Sequence, residues 1–292
     1  GVTELVDVSF GPMRLVGVNY DPTIGLESGS QPSIPVTLFW EANSPMQNEY
    51  EVLVRLVTDN RQAIGNGDGR PTDWVYPTSF WRPGQDHVAA RHTVTSESEP
   101  PPGRYWLAVS VLEPATGQRL PLTAGTSNSP NTFYIGPLKR PLPSPSPLPA
   151  LTPSSVAFNN IAHLTGYDIE PGLATAGDHL EIKLLCEAET SPEVDYTRFF
   201  HLLDSAGQLV ANADSPPLSG QYPTTIWTPG EQFLDRHVLP LPDNLVPGEY
   251  RVALGLYYQP TGERVPVMIA GDGEAKDDRF VIPQPVTIQE RY

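Results

Sequence analysis

Aromatic rings beside a carboxylate are residue types with which proteins hold sugars, and this chain carries such a set twice. Asp68, Tyr76 and Trp81 stand with Gly84 in one stretch, and Asp214, Tyr222 and Trp227 stand with Gly230 in another. The surrounding sequence is nearly repeated: YPTSFWRPGQ at residues 76–85 returns as YPTTIWTPGE at 222–231, about 146 positions later. Exposed rings stack on the apolar faces of sugars while a carboxylate accepts their hydroxyl hydrogen bonds, the mix of flat apolar surface and few polar groups that ligand sites use. The competing reading is packing. A Tyr-Pro and a Trp in a long crossover loop also plug the open end of a β-sandwich, and most aromatic residues in small β domains are packing residues. Recurrence fits both readings, and the exposure of Trp81 and Trp227 separates them.

Two other chemistries are weaker. Asn66, Asp68 and Asp73 in GNGDGRPTDW, and Asp272, Glu274, Asp277 and Asp278 in GDGEAKDD, put oxygen donors in Gly-bearing loops of the kind that wrap calcium. Neither has EF-hand spacing, and Arg70 and Lys276 sit inside the clusters and oppose a cation. Solvated acidic turns are the simpler account, so no metal or cofactor is expected. His201 and His237 lie near Asp204, Glu231 and Asp235 in sequence, which suggests an acid/base pair of a duplicated hydrolase. The first copy, however, has Arg55 for His201 and Gln85 for Glu231, although His92 answers His237. No nucleophile elbow, His-Glu-x-x-His, Cys/His cluster or P-loop is present, so no catalytic residue is assigned.

The elements that must position these residues follow from the repeat. Tyr20-Asp21 pairs with Tyr167-Asp168, Glu49-Tyr50 with Asp195-Tyr196, and Pro102-Gly103-Arg104-Tyr105 with Pro247-Gly248-Glu249-Tyr250. A period of this size is a domain rather than a solenoid unit. With 34 prolines, 24 glycines and 18% charged residues, the chain is rich in turns and poor in Glu/Lys-rich helical segments. Short alternating or fully apolar runs separated by turn signals predict strands near 156–158, 161–167, 179–187, 197–203, 209–212, 232–240, 250–258, 264–268 and 279–282, with 36–41, 51–57, 87–94, 105–112 and 132–135 in the first copy. Asp204-Ser205-Ala206-Gly207 and Pro260-Thr261-Gly262-Glu263 read as hairpin turns. Tyr105 and Tyr250, each ending a Pro-Gly-x-Tyr, read as tyrosine corners. Cys186 sits in an apolar run, opposite Trp40 of the first copy, and reads as a small buried hydrophobe.

The expectation is therefore an all-β chain: two tandem immunoglobulin-like β-sandwich domains, 1–135 and 156–292, joined by a Pro/Ser-rich linker at 136–155 whose prolines favour an extended spacer. The stretch from Gly166 through DYTRFFHLLDSAGQLVANADSPP and GQYPTTIWTPGEQFLDRHVLPLPDNLVPGEYRVALGLYYQPTGERV resembles the β-sandwich module found C-terminal to multispanning bacterial membrane proteins of the glycosyltransferase type. The first copy is a more divergent match, with Thr58-Asp59-Asn60-Arg61 for the Asp-Ser-Ala-Gly turn. The resemblance implies an extracytoplasmic accessory domain of a larger membrane-anchored protein and brings no catalytic residues. A formal net charge of -16 argues against nucleic acid and anionic membrane surfaces, and no apolar run of about 18 residues is present to span a bilayer. The opening at Gly1, a few residues before the first strand-like segment, reads as a piece of a longer protein, so the missing signal peptide is uninformative. The function expected is noncatalytic binding or positioning of a glycan or cell-envelope polymer. A protein partner, or an architectural spacer with no ligand, is the alternative.

Overall fold

The computed structural model describes residues 4–25, 32–72, 75–125, 127–146, 149–270 and 274–290, and its chain divides into two compact units, Gly1–Pro141 and Leu142–Tyr292. The first unit holds β1 (Glu4–Phe10), β2 (Met13–Tyr20), β3 (Ser33–Ala42), β4 (Glu51–Thr58), β5 (Ala63–Asn66), β6 (His87–Ser96), β7 (Gly103–Glu113), β8 (Gln118–Arg119), β9 (Leu122–Ala124) and β10 (Phe133–Arg140). The second holds β11 (Thr152–Phe158), β12 (Ala162–Glu170), β13 (Leu173–Thr175), β14 (His179–Ala188), β15 (Thr197–Leu203), β16 (Leu209–Ser215), β17 (Gln232–Pro240), β18 (Gly248–Tyr258), β19 (Glu263–Arg264), β20 (Val267–Ile269), β21 (Glu274–Lys276) and β22 (Arg279–Gln289). Both are immunoglobulin-like sandwiches. In the second, the order β17-β14-β12-β11-β20 faces β13-β22-β18-β15-β16. The first repeats it, with no strand among its described residues answering β13 or β21; there β5 pairs with both β4 and β6 and so joins the two sheets along one edge, whereas its counterpart β16 ladders with β15 alone.

Alternation along the strands assigns the faces. In β6, Val88, Ala90, His92, Val94 and Ser96 are buried while the residues between them are exposed, the period of two that a half-covered sheet imposes. The register confirms the repeat residue by residue. Trp40 lies opposite Leu15 and Cys186 opposite Leu164, and each is fully buried at the same place in its sandwich. Burial raises the Cys186 thiol to about 11, as expected of an inert core cysteine. Tyr105 donates to the Pro101 carbonyl at 2.5 Å and Tyr250 to that of Val246 at 2.9 Å, each near the start of the strand that follows the crossover, which makes both tyrosine corners. Gly207 and Gly262 take the left-handed backbone (φ 76° and 73°) at the two hairpin turns read from sequence.

The linker is shorter than its composition suggests. Leu138, Lys139 and Arg140 pair with Tyr105, Arg104 and Gly103, and β11 starts at Thr152, so strand pairing claims both ends of the 136–155 stretch. Pro137 does not prevent this, because β10 carries a register shift between Ile135 and Leu138 where the missing donor is tolerated. β5, β13 and β21 have too few residues to show a period in sequence.

Candidate functional site

The repeated aromatic loops are built from the inside of each sandwich. A single 3-10 turn, Thr78–Phe80 in one copy and Thr224–Ile226 in the other, follows the Tyr-Pro and delivers the next residue, Trp81 or Trp227, into the core at 2% and 1% exposure. Trp227 packs on Phe233 with ring centroids 4.8 Å apart and donates its indole N–H to the Tyr222 carbonyl at 3.2 Å. The turn is held by the chain before β4 or β15. Tyr50 and Tyr196 each donate a backbone N–H at 3.0 Å to the threonine hydroxyl, Thr78 or Thr224. Glu49 accepts from the backbone of Thr78 and Ser79, and Asp195 from that of Thr225. Burial opposes ionisation of Glu49, but the hydrogen bonds from Ser79 and Thr78 hold its carboxyl below the usual range. Gly84 and Gly230, at φ 69° and 80°, close the Pro-Gly bend.

The proposed stacking set is thereby corrected. A ring enclosed on both faces by side chains offers none to a sugar, so Trp81, Trp227 and the buried Tyr222 plug their sandwiches. Tyr76 is half-buried and gives its hydroxyl to Asp86 at 2.5 Å, and Tyr222 gives its own to Glu231 at 2.5 Å. Asp86 also accepts from Arg82, and the side-chain bonds from Arg82 and then Tyr76 push its carboxyl well down. Burial, followed by the Glu231 hydrogen bond, raises the Tyr222 phenol strongly. The structural answer to Glu231 is therefore Asp86 and not Gln85, one position away from the sequence alignment. The upstream aspartates are elsewhere. Asp68 accepts the Val54 N–H at 2.9 Å and pairs with Arg55 at 2.9 Å, while Asp214 lies exposed on β16 and is bonded to Tyr257.

The acid/base set comes apart, and the described members of the acidic loops have other places. Among the described residues no group of three or more His, Cys, Asp or Glu side chains is arranged to hold a metal. Asp73 and Asp272 lie outside the described residues. Asp277 and Asp278, both at φ 53°, are the two-residue loop of the β21–β22 hairpin, with Lys276 opposite Arg279. His237 stacks on Phe200 at 4.0 Å and His201 lies tilted against Phe199 at 4.6 Å, whereas Asp235 is taken by Arg198, Glu231 by Tyr222, and Asp204 by its own turn backbone.

One open cleft, of about 610 Å³, lies at one end of the second sandwich, walled by the β11–β12 turn, the β14–β15 loop and the β18–β19 hairpin. Tyr196 and Tyr258 meet edge-to-face there, centroids 6.4 Å apart, with Asn159, Glu193, Glu263 and Arg264 around them. Asn159 donates its backbone N–H to the Pro266 carbonyl at 2.9 Å and Thr190 its hydroxyl to that of Asn160 at 3.0 Å, tying the walls together. In the first copy Glu113 stands at the position of Tyr258 and accepts from Asn48, so a hydrogen bond spans the corresponding loops. Sequence reading followed what the copies share and missed this cleft; the signal for it is where they differ, Tyr258 against Glu113.

No protein-family model and no curated protein matches the chain. Among solved structures it is similar to the Yersinia pseudotuberculosis adhesin InvE, at 11% identity and a TM-score of 0.32, over 97% of this chain and 60% of that one. It is also similar to the D0-D1 domain of intimin, at 13% identity and a TM-score of 0.23, over 94% of this chain and 96% of that one. At these scores the likeness carries no functional argument.

Proposed function

We propose that this chain is a noncatalytic extracytoplasmic module that binds or positions a glycan or cell-envelope polymer, using the end cleft of its second sandwich. The carrying observation is that cleft: two half-buried tyrosines beside amide, carboxylate and guanidinium groups, on loops fixed to a rigid scaffold. Tyrosine gives flat contact area with a polar tip at low conformational cost, which suits a sugar ring. The test is a screen of neutral and acidic envelope polysaccharides against the whole chain and its Tyr258→Ala variant. Binding by the parent that the variant loses, with an unchanged melting curve, is the expected result; binding unaffected by the variant removes the cleft from the proposal.

A spacer role is the second reading, and one observation favours it. Every residue shared by the repeated Tyr-Pro-Thr-x-x-Trp motifs is spent on holding its own sandwich closed, which is what duplication of a purely architectural unit preserves. A screen in which no glycan binds the parent chain leaves this reading standing.

A further inference from the structure

The turn between β4 and β5 contains an arginine where the other copy uses glycine. Arg61 donates its backbone N–H to Thr58 O at 2.9 Å and sits at φ 66°; Gly207 donates to Asp204 O at 2.9 Å and sits at φ 76°. The left-handed region costs an L side chain and not glycine, so the first copy carries backbone strain that its duplicate shows to be avoidable. The side chain does not trail into solvent. Its guanidinium lies 4.0 Å from the Tyr134 ring centroid and 5.1 Å from that of Trp106. Asp59, the nearest acid in the turn, accepts instead from the Trp106 indole at 2.9 Å and pairs with Arg104 at 2.9 Å. In a chain of net charge -16, this guanidinium lies against two aromatic rings and, among the described residues, meets no carboxylate.

Beneath it the outer face of the β4–β7–β10 sheet is hollowed. Arg55, Ala108 and Tyr134 form one cross-strand row, and Leu53 lies opposite Ser110 in the next. The small Ala108 and Ser110 leave a trough of about 140 Å³, edged by Arg61, Arg55 and Arg119. In the second sandwich the same place is filled: Phe199, at the position of Leu53, lies so close over Gly255 that an added Cβ there would stand 2.5 Å from its Cζ, and Arg264, at the position of Arg119, caps that ring at 4.7 Å. One copy has closed this face with an aromatic ring. The other has left it open, rimmed with cations.

We infer that the trough on the outer sheet face of the first sandwich is an anion-recognition site that takes the carboxylate of an acidic saccharide, with Arg61 as its principal contact. Its size suits one charged group on a longer ligand. Stacking covers a face of the guanidinium and leaves its N–H edges for a bidentate carboxylate. The inference rests on the glycan reading for the ligand class, but its site is separate from the end cleft.

The test is titration calorimetry of the whole chain with oligogalacturonate and with its methyl ester, in low and physiological salt. Oligogalacturonate binds, more weakly as salt rises, and the ester does not. Arg61→Gly, which suits the left-handed position, keeps or raises the melting temperature and weakens binding of the acid by about tenfold or more; Arg61→Lys, which keeps the charge and loses the fork, also weakens it. Equal binding of acid and ester, or undiminished binding by Arg61→Gly, overturns the site. If the acid fails to bind while neutral glycans bind in a Tyr258-dependent way, the trough proposal falls alone; if no glycan binds, the glycan reading falls with it.

Discussion

Arg198 and Asp235 form an ion pair sealed inside the second sandwich, with side-chain exposures of 1% and 6%. Arg198 also reaches the Cys186 sulfur at 3.5 Å, and Asp235 accepts the Leu218 N–H at 3.2 Å. The register puts Val52, Ala90 and Trp40 at the matching positions of the first copy. One domain fills this part of its core with an indole and two small aliphatic residues; the other uses a thiol and two charges.

That exchange predicts an asymmetric mutational response. Asp235→Ala leaves a buried guanidinium without its carboxylate and is expected to cost about 3 to 5 kcal/mol. The triple exchange Cys186→Trp, Arg198→Val, Asp235→Ala carries the first copy's solution into the second and should cost less than Asp235→Ala alone, since it removes both charges and refills the volume. Urea unfolding of the variants measures this. A triple variant less stable than the single one would mean that the two cores are not interchangeable.

The repeated aromatic residues should behave as structural parts. Trp227→Ala is expected to lose about 3 to 5 kcal/mol, as other buried aromatic truncations do. Tyr250→Phe, which leaves the Val246 carbonyl without its partner, is expected to lose about 1 kcal/mol. Thermal or urea melts with native-like circular dichroism below the transition are the readout. An unaltered midpoint for Trp227→Ala would contradict its place in the core.

Much of this architecture was legible because a strand's period of two and a duplicated sequence reinforce each other. The strand from 232 to 240 and the one from 197 to 203 have the observed limits, and the corners at Tyr105 and Tyr250 were readable from a glycine and a tyrosine at fixed spacing. The ends of the linker were not, because pairing of Lys139 with Arg104 depends on a partner strand that local composition does not reveal. The site was misread for a related reason. Tyr76 and Trp81 are chemically the same whether they face a sugar or a core, and exposure is a property of the packed domain. Asp86 was passed over in favour of Gln85 because the two loops differ by one residue in the distance from the tyrosine to its carboxylate. The residues offered for binding, Tyr258 and Arg61, are those at which the copies disagree.

Acid should loosen the protein in a window set by three histidines. Burial lowers the folded values of His92, His201 and His237 below the ordinary value of about 6.5. His92 faces the Gly67 carbonyl at 2.9 Å, with the Asp68 charge nearby; His237 faces Phe200, with Asp235, Asp214 and Arg198 around it; His201 lies among Arg264, Asp214 and Arg279. A base whose folded value is depressed takes up protons more readily when unfolded, so the stabilisation is complete above pH 6.5 and is lost as pH falls from there through the folded values. Carboxylates held low, such as Asp86 and Glu49, follow the same sign in a lower window, below about pH 4, where the unfolded acids protonate. Falling net charge acts in the opposite direction by relieving self-repulsion. The discriminating measurement is therefore differential: the melting temperature of the parent and of His92→Gln and His237→Asn between pH 7.5 and 5. The parent should fall more steeply across that range than either variant. Parallel curves would show that neither histidine contributes to the acid response.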